Sequence, residues 1–131
     1  MITSDKASLA IFSETHPSSA VSAALGLEPT RVYERGDRYG RGLSRPTSGW
    51  ILDAPPDPHS ETQLDVLVGM LRGRAPALAQ LREHYDMQIS YTGFSDSENG
   101  SFAFSPETIA GLATLGCGLT GTVILELPES L

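Results

Sequence analysis

Met87-Gln88-Ile89-Ser90-Tyr91-Thr92 alternates large apolar residues with short polar ones. A period of two sends Met87, Ile89 and Tyr91 to one side of a strand and Gln88, Ser90 and Thr92 to the other, the pattern of a half-buried strand. Downstream, Asp96 to Gly100 reads as a turn, and Phe102 with Phe104 alternate again in a strand that returns. Ser105-Pro106-Glu107 then opens a helix, because proline at a first helical position lacks only an N–H that would be unpaired anyway. Ile109, Leu112 and Ala113 give that helix its apolar positions, Gly116 ends it, and Thr122 to Leu127 alternates as a final strand.

Upstream lies the strongest helical signal, opened by Ser60-Glu61-Thr62-Gln63, which reads as a capping box. Leu64, Leu67, Val68 and Leu71 follow at helical spacing, Gly73 and Pro76 break the helix, and Leu78 and Leu81 carry a second short one to about His84. Trp50-Ile51-Leu52 predicts a strand ended by the Pro55-Pro56-Asp57-Pro58 turn, with Trp50 as a core anchor. Thr30 to Glu34 is a weaker strand, and Gly36 to Thr47 has the composition of a mobile loop. Near the start, Ala7 to Ser13 reads as a buried strand. A helix beginning at His16-Pro17 buries Val21, Ala24 and Leu25 and stops at Gly26.

The order is strand, helix, two strands, broken helix, two strands, helix, strand. It predicts an α+β domain, a largely antiparallel sheet with helices packed on one face. A helix opened by Pro17 and ended by Leu25-Gly26 is echoed by one opened by Pro106 and ended by Leu115-Gly116. Two related ferredoxin-like halves would explain the echo, and convergent capping chemistry would explain it nearly as well.

A chain of 131 residues with 40 % hydrophobic and 19 % charged content is expected to form a single domain over 1–131, with no cofactor required for folding. The lone cysteine, Cys117, excludes an internal disulfide and fits a reducing, cytoplasmic setting. No apolar run approaches membrane-spanning length, so a membrane partner is not expected. A net charge of -7 argues against nucleic acid, whose phosphates most of this surface would repel.

That charge is unevenly spread. Arg31, Arg35, Arg38, Arg41 and Arg45 fall within fifteen positions beside only two acids, Glu34 and Asp37, so the segment is about +3 and the remainder about -10. Tyr33 and Tyr39 are interleaved with the arginines. Such a run is either a solvated loop or a rim that grips carboxylates or phosphates, and tyrosine and arginine are the usual anchors of protein interfaces.

Other apparent motifs carry less. Gly116-x-Gly118-x-x-Gly121 spells a dinucleotide fingerprint, but the fingerprint needs a strand before it and a helix after it, and the order here is reversed. Gly116 reads instead as a left-handed helix cap. Arg35-Gly36-Asp37 is a three-letter chance match. His16, His59 and His84 lie far apart without metal-ligand spacing. They read as helix start, loop and helix end, the last placed to complement a helix dipole. Cys117 has no basic neighbour in sequence and reads as a packing residue. No Gly-x-Ser-x-Gly elbow is present.

Several landmarks together resemble the bacterial family called domain of unknown function 4279. They are the first strand ending near Phe12, the turn Leu25-Gly26-Leu27-Glu28-Pro29-Thr30, Gly36-Asp37 ahead of the arginine run, Gly49-Trp50, the long helix after Ser60, and the closing Phe104-Ser105-Pro106 to Leu115-Gly116 segment. The resemblance spans nearly the whole chain and brings no catalytic positions. It implies a small, stand-alone bacterial domain, of a class in which partner-binding proteins such as toxin-neutralising immunity proteins are common.

The leading expectation is a non-enzymatic binding protein that engages a protein partner, such as a toxin encoded nearby, through Arg31, Tyr33, Arg35, Arg38, Tyr39, Arg41 and Arg45. One alternative is a sensor of a small anion or nucleotide that uses the same residues. Another is an enzyme whose site assembles only in three dimensions, uniting residues such as His16, His59 or Asp53 with the arginines. Homo-oligomerisation stays open.

Overall fold

The computed structural model describes residues 1–58 and 62–126. Its elements, in chain order, are β1 (Ile2–Ser13), α1 (Ser19–Leu25), β2 (Arg31–Tyr33), β3 (Arg38–Tyr39), β4 (Leu43–Ser44), β5 (Ser48–Asp53), α2 (Gln63–Leu71), α3 (Ala75–Leu81), β6 (Asp86–Ser95), α4 (Pro106–Leu115) and β7 (Leu119–Leu125). Five strands form one sheet in the order β2-β5-β1-β6-β7, and β3 with β4 forms a separate hairpin. Every neighbouring pair in the large sheet is antiparallel except β6 and β7. The chain is therefore α+β with a largely antiparallel sheet.

Strand periodicity divides the sheet into two faces. Ala7, Leu9 and Ile11 of β1, Trp50 and Leu52 of β5, and Ile89 and Tyr91 of β6 turn to the helices and are buried. Leu64, Leu67, Val68 and Leu71 of α2, with Leu78 and Leu81 of α3, close the core from above. Trp50 is fully buried and donates its indole N–H to Ser22 Oγ of α1 at 2.9 Å, which joins its polar end to its apolar body. The opposite face, bearing Ser8, Ala10, Phe12, Ile51, Ser90, Thr92 and Phe94, is only half-buried.

β1 and β2 run parallel with β5 between them, so β1–α1–β2 is a split βαβ unit. β6–α4–β7 is a direct βαβ unit whose strands are adjacent. Both helices end on a left-handed glycine, Gly26 at φ 66° and Gly116 at φ 71°. The echo in the sequence thus corresponds to two βαβ units of different construction, and only the first has the ferredoxin-like inserted strand.

Several boundaries differ from expectation, each for a local reason. The cap of α2 is Thr62, whose side chain accepts from Asp65 N–H while Asp65 bonds back to Thr62 N–H. The box therefore sits two residues later than expected, and Ser60 and Glu61 lie outside the described residues. Ser18, not His16, caps α1, and its backbone N–H and hydroxyl go to the Glu34 carboxylate. Phe102 and Phe104 form no strand. Their ring centroids lie 5.0 Å from that of Tyr91, so their spacing reflects shared packing on one ring rather than a ladder. β1 extends five residues before Ala7 because β6 continues to pair with it. β7 starts three residues before Thr122 and ends at Leu125, and Leu127 lies outside the described residues.

Candidate binding face on the arginine hairpin

Gly36 to Thr47 is a folded hairpin rather than a mobile loop. Glu34 N–H donates to Asp37 Oδ2 at 2.7 Å and Asp37 N–H to Glu34 C=O at 3.0 Å, closing the entry turn. Gly36 N–H then bonds Arg45 C=O at 2.8 Å and Arg45 N–H bonds Asp37 C=O at 2.7 Å, which fixes the two ends together. Gly40 and Gly42 take φ of 60° and 70°, the left-handed region in which side chains are strained, and so make the tip between β3 and β4.

One stack docks the hairpin on the half-buried face of the sheet. Tyr33 pairs with Gly49 across β2 and β5, and its ring lies flat over the space a side chain at 49 would fill. The Arg45 guanidinium sits 4.2 Å from the Tyr33 ring centroid and 4.1 Å from that of Tyr39. Gly49, Tyr33, Arg45 and Tyr39 therefore form a ladder from strand to hairpin, with the cation held between two π faces.

The five arginines consequently divide by task. Arg45 is the clamp, and Arg35 donates to Glu14 C=O at 2.9 Å, which ties the hairpin base to the end of β1. Arg31, Arg38 and Arg41 are exposed, and none has a side-chain partner among the described residues. Arg31 and Ile51 share a groove with Tyr33 and Arg45 on the half-buried face of the sheet. Tyr39 keeps 40 % of its surface exposed. The arrangement offers three guanidinium groups around a tyrosine and arginine stack, which suits planar carboxylates.

A second polar cluster escaped sequence reasoning. His16 and His84 stack with ring centroids 4.2 Å apart and planes 17° from parallel, although 68 residues separate them. Around them lie Ser13, Thr15, Glu34, Arg35 and Ser48. Most of these groups hold the local backbone. Ser48 Oγ donates to His16 C=O at 2.6 Å, Ser13 Oγ accepts from His16 N–H at 3.0 Å, and Tyr85 OH donates to Pro17 C=O at 2.6 Å. Burial, with the Glu34 charge behind it, pushes the Tyr85 hydroxyl above its ordinary range. Thr15 Oγ1 lies 2.7 Å from His16 Nδ1. His84 thus sits at the end of α3, where its backbone N–H donates to Leu81 C=O at 3.1 Å, and its ring also meets another imidazole, a pair that no spacing rule would have found. His59 lies outside the described residues, and Asp53 lines a different recess with Lys6 and Arg31.

Cys117 is half-buried beside Arg82, whose guanidinium lies 3.7 Å from its sulfur. That cationic neighbour is the residue that caps the C-terminus of α3 and was not visible in the local sequence. No group of three or more potential metal ligands occurs among the described residues, and none of their helices is long and apolar enough to cross a membrane.

Residues 3–123 match the model of the family described as Domain of unknown function (DUF4279), and the chain belongs to that family. No curated protein and no solved structure matches it.

Proposed function

We propose that this DUF4279 chain is a non-enzymatic binding protein and that its arginine hairpin receives an acidic surface of a protein partner. The observation that carries this reading is the division of the arginines. Two are fixed by internal contacts, which makes the hairpin a defined shape, while Arg31, Arg38 and Arg41 meet no side-chain partner among the described residues. A hairpin whose backbone is already fixed loses less conformational freedom on binding than a flexible loop would. Their +3 segment lies in a chain of net charge -7, so a carboxylate-rich partner is attracted to this face and repelled by much of the rest. A toxin with an acidic recognition surface, neutralised in a bacterial cytoplasm, is one partner of this description.

The histidine cluster supports an enzymatic reading less well, because its hydroxyls and its glutamate are engaged with backbone or with each other. The test is charge reversal at Arg38 and Arg41, the two hairpin cations that take no part in the stack of Tyr33, Arg45 and Tyr39. Arg38→Glu with Arg41→Glu is expected to abolish partner capture and leave the melting temperature unchanged. Capture that survives the reversal, or strong thermal stabilisation of the wild type by phosphate or nucleotides, would reject the proposal.

A further inference from the structure

The two edges of the main sheet are protected differently. β2 is three residues long, begins with Arg31 and carries the hairpin docked on its Tyr33. β7 runs Leu119-Thr120-Gly121-Thr122-Val123-Ile124-Leu125 without a charge, a proline or a bulge, and all seven residues are exposed. Leu119, Val123, Ile124 and Leu125 are 39, 44, 42 and 42 % exposed. Natural edge strands are blunted by charge, proline, bulges or brevity, and β7 has none of these devices.

The parallel ladder fixes which backbone groups are free. Ile89 N–H donates to Gly118 C=O at 3.1 Å and Glu126 N–H to Ser95 C=O at 2.7 Å. Even-numbered residues of β7 therefore turn their polar groups to β6, and Leu119, Gly121, Val123 and Leu125 turn theirs outward. These outward N–H and C=O groups are eight in number. They meet no protein partner among the described residues.

We propose that β7 pairs antiparallel with β7 of a second copy about a two-fold axis through Thr122. In that register Leu119 lies opposite the partner copy's Leu125 and Gly121 opposite its Val123, and all eight outward groups close hydrogen bonds. Thr122 faces its own counterpart in a non-hydrogen-bonded pair, where side chains come closest. The leucine pairs and Val123 form an apolar row on the helical side, extending the row of Ile89 and Tyr91. The net charge of -7 does not oppose this contact, because β7 has no charged residue and Glu126 falls opposite the partner copy's Gly118. Two sheets of five strands become one of ten. The contact is isologous and closes on itself, and it lies at the sheet edge opposite the arginine hairpin, so neither depends on the other.

Sedimentation of the full chain across a concentration series reads the result. The wild type is expected to pass from one to two chain masses as concentration rises. Val123→Pro removes an outward N–H without touching the β6 ladder and is expected to keep the chain monomeric. Thr122→Lys and Thr122→Glu, each alone, place like charges at the axis and are expected to weaken dimerisation by about tenfold or more. An equimolar mixture of the two restores the dimer, which a folding defect could not do. A wild type of one chain mass at every concentration overturns the proposal. So does a dimer indifferent to all three substitutions, or an edge found occupied by a different protein or by this chain's own residues beyond Glu126.

Discussion

Gly49→Ala should change sign with its background. A methyl group at Gly49 would land 2.1 Å from Tyr33 Cζ and 2.5 and 2.6 Å from its two Cε atoms, so the ring would have to lift. Lifting it separates Tyr33 from Arg45 and loosens the clamp that also holds Tyr39. Crowding of this kind costs about 1–3 kcal/mol, while replacing a strand glycine by alanine returns roughly 0.5–1 kcal/mol of backbone entropy. The net expectation is a loss of about 0.5–2 kcal/mol in the wild type. In a Tyr33→Ala background the obstruction is gone and only the backbone gain is left, so the same substitution should stabilise by roughly 0.5–1 kcal/mol. Urea denaturation of the four proteins in the cycle measures the coupling, expected to be about 1–3 kcal/mol. Equal effects of Gly49→Ala in both backgrounds would refute the stack as the anchor of the hairpin.

Further outcomes follow from the same geometry. Arg45→Ala should cost about 1–2 kcal/mol through two lost cation–π contacts, whereas Arg38→Ala and Arg41→Ala should each stay within about 0.5 kcal/mol; denaturation midpoints separate the two classes. Gly26→Ala should lose roughly 1 kcal/mol to left-handed strain alone, since φ is 66° and the surrounding space is open, while Gly69→Ala in α2 should gain up to about 1 kcal/mol as helix propensity; calorimetric melting reads both signs. Burial, then the hydrogen bond to Asp5 and the charges of Asp5 and Asp65, raise the Tyr91 hydroxyl far above its ordinary value of 10.0. Above about pH 10 the unfolded tyrosine therefore releases a proton that the folded one keeps, and stability falls with rising pH. The advantage of the wild type over Tyr91→Phe should be constant below that pH and shrink above it by up to about 1.4 kcal/mol per unit, measured by denaturation at a series of alkaline pH values.

The parts of the fold that were legible in the sequence are those where local chemistry and tertiary packing agree. The alternation in Met87 to Thr92 reports a sheet with one covered face, and Ser105-Pro106 with Gly116 states both ends of α4. Where packing alone decides, the sequence misleads. Phe102 and Phe104 repeat with a strand's period because both rings seek Tyr91, not because their backbones pair. The hairpin of β3 and β4 is set by Asp37, two positive-φ glycines and a stack on a residue beyond it, none of which has a hydrophobic period. The charge of the segment singles it out in the sequence, but composition does not say that Arg45 is held between two rings while Arg38 meets no side-chain partner among the described residues. His16 and His84 meet only because β1 and α3 end side by side.

The binding proposal is tested most directly by capturing partners on the tagged chain from lysate of the cells that produce it, beside the Arg38→Glu, Arg41→Glu variant, with mass spectrometry of what each retains. The expected result is one acidic protein held in stoichiometric amount by the wild type, released by raised salt and absent from the variant, with both baits equally stable. The same protein retained by both baits, or none retained by the wild type, would contradict the assignment of this face.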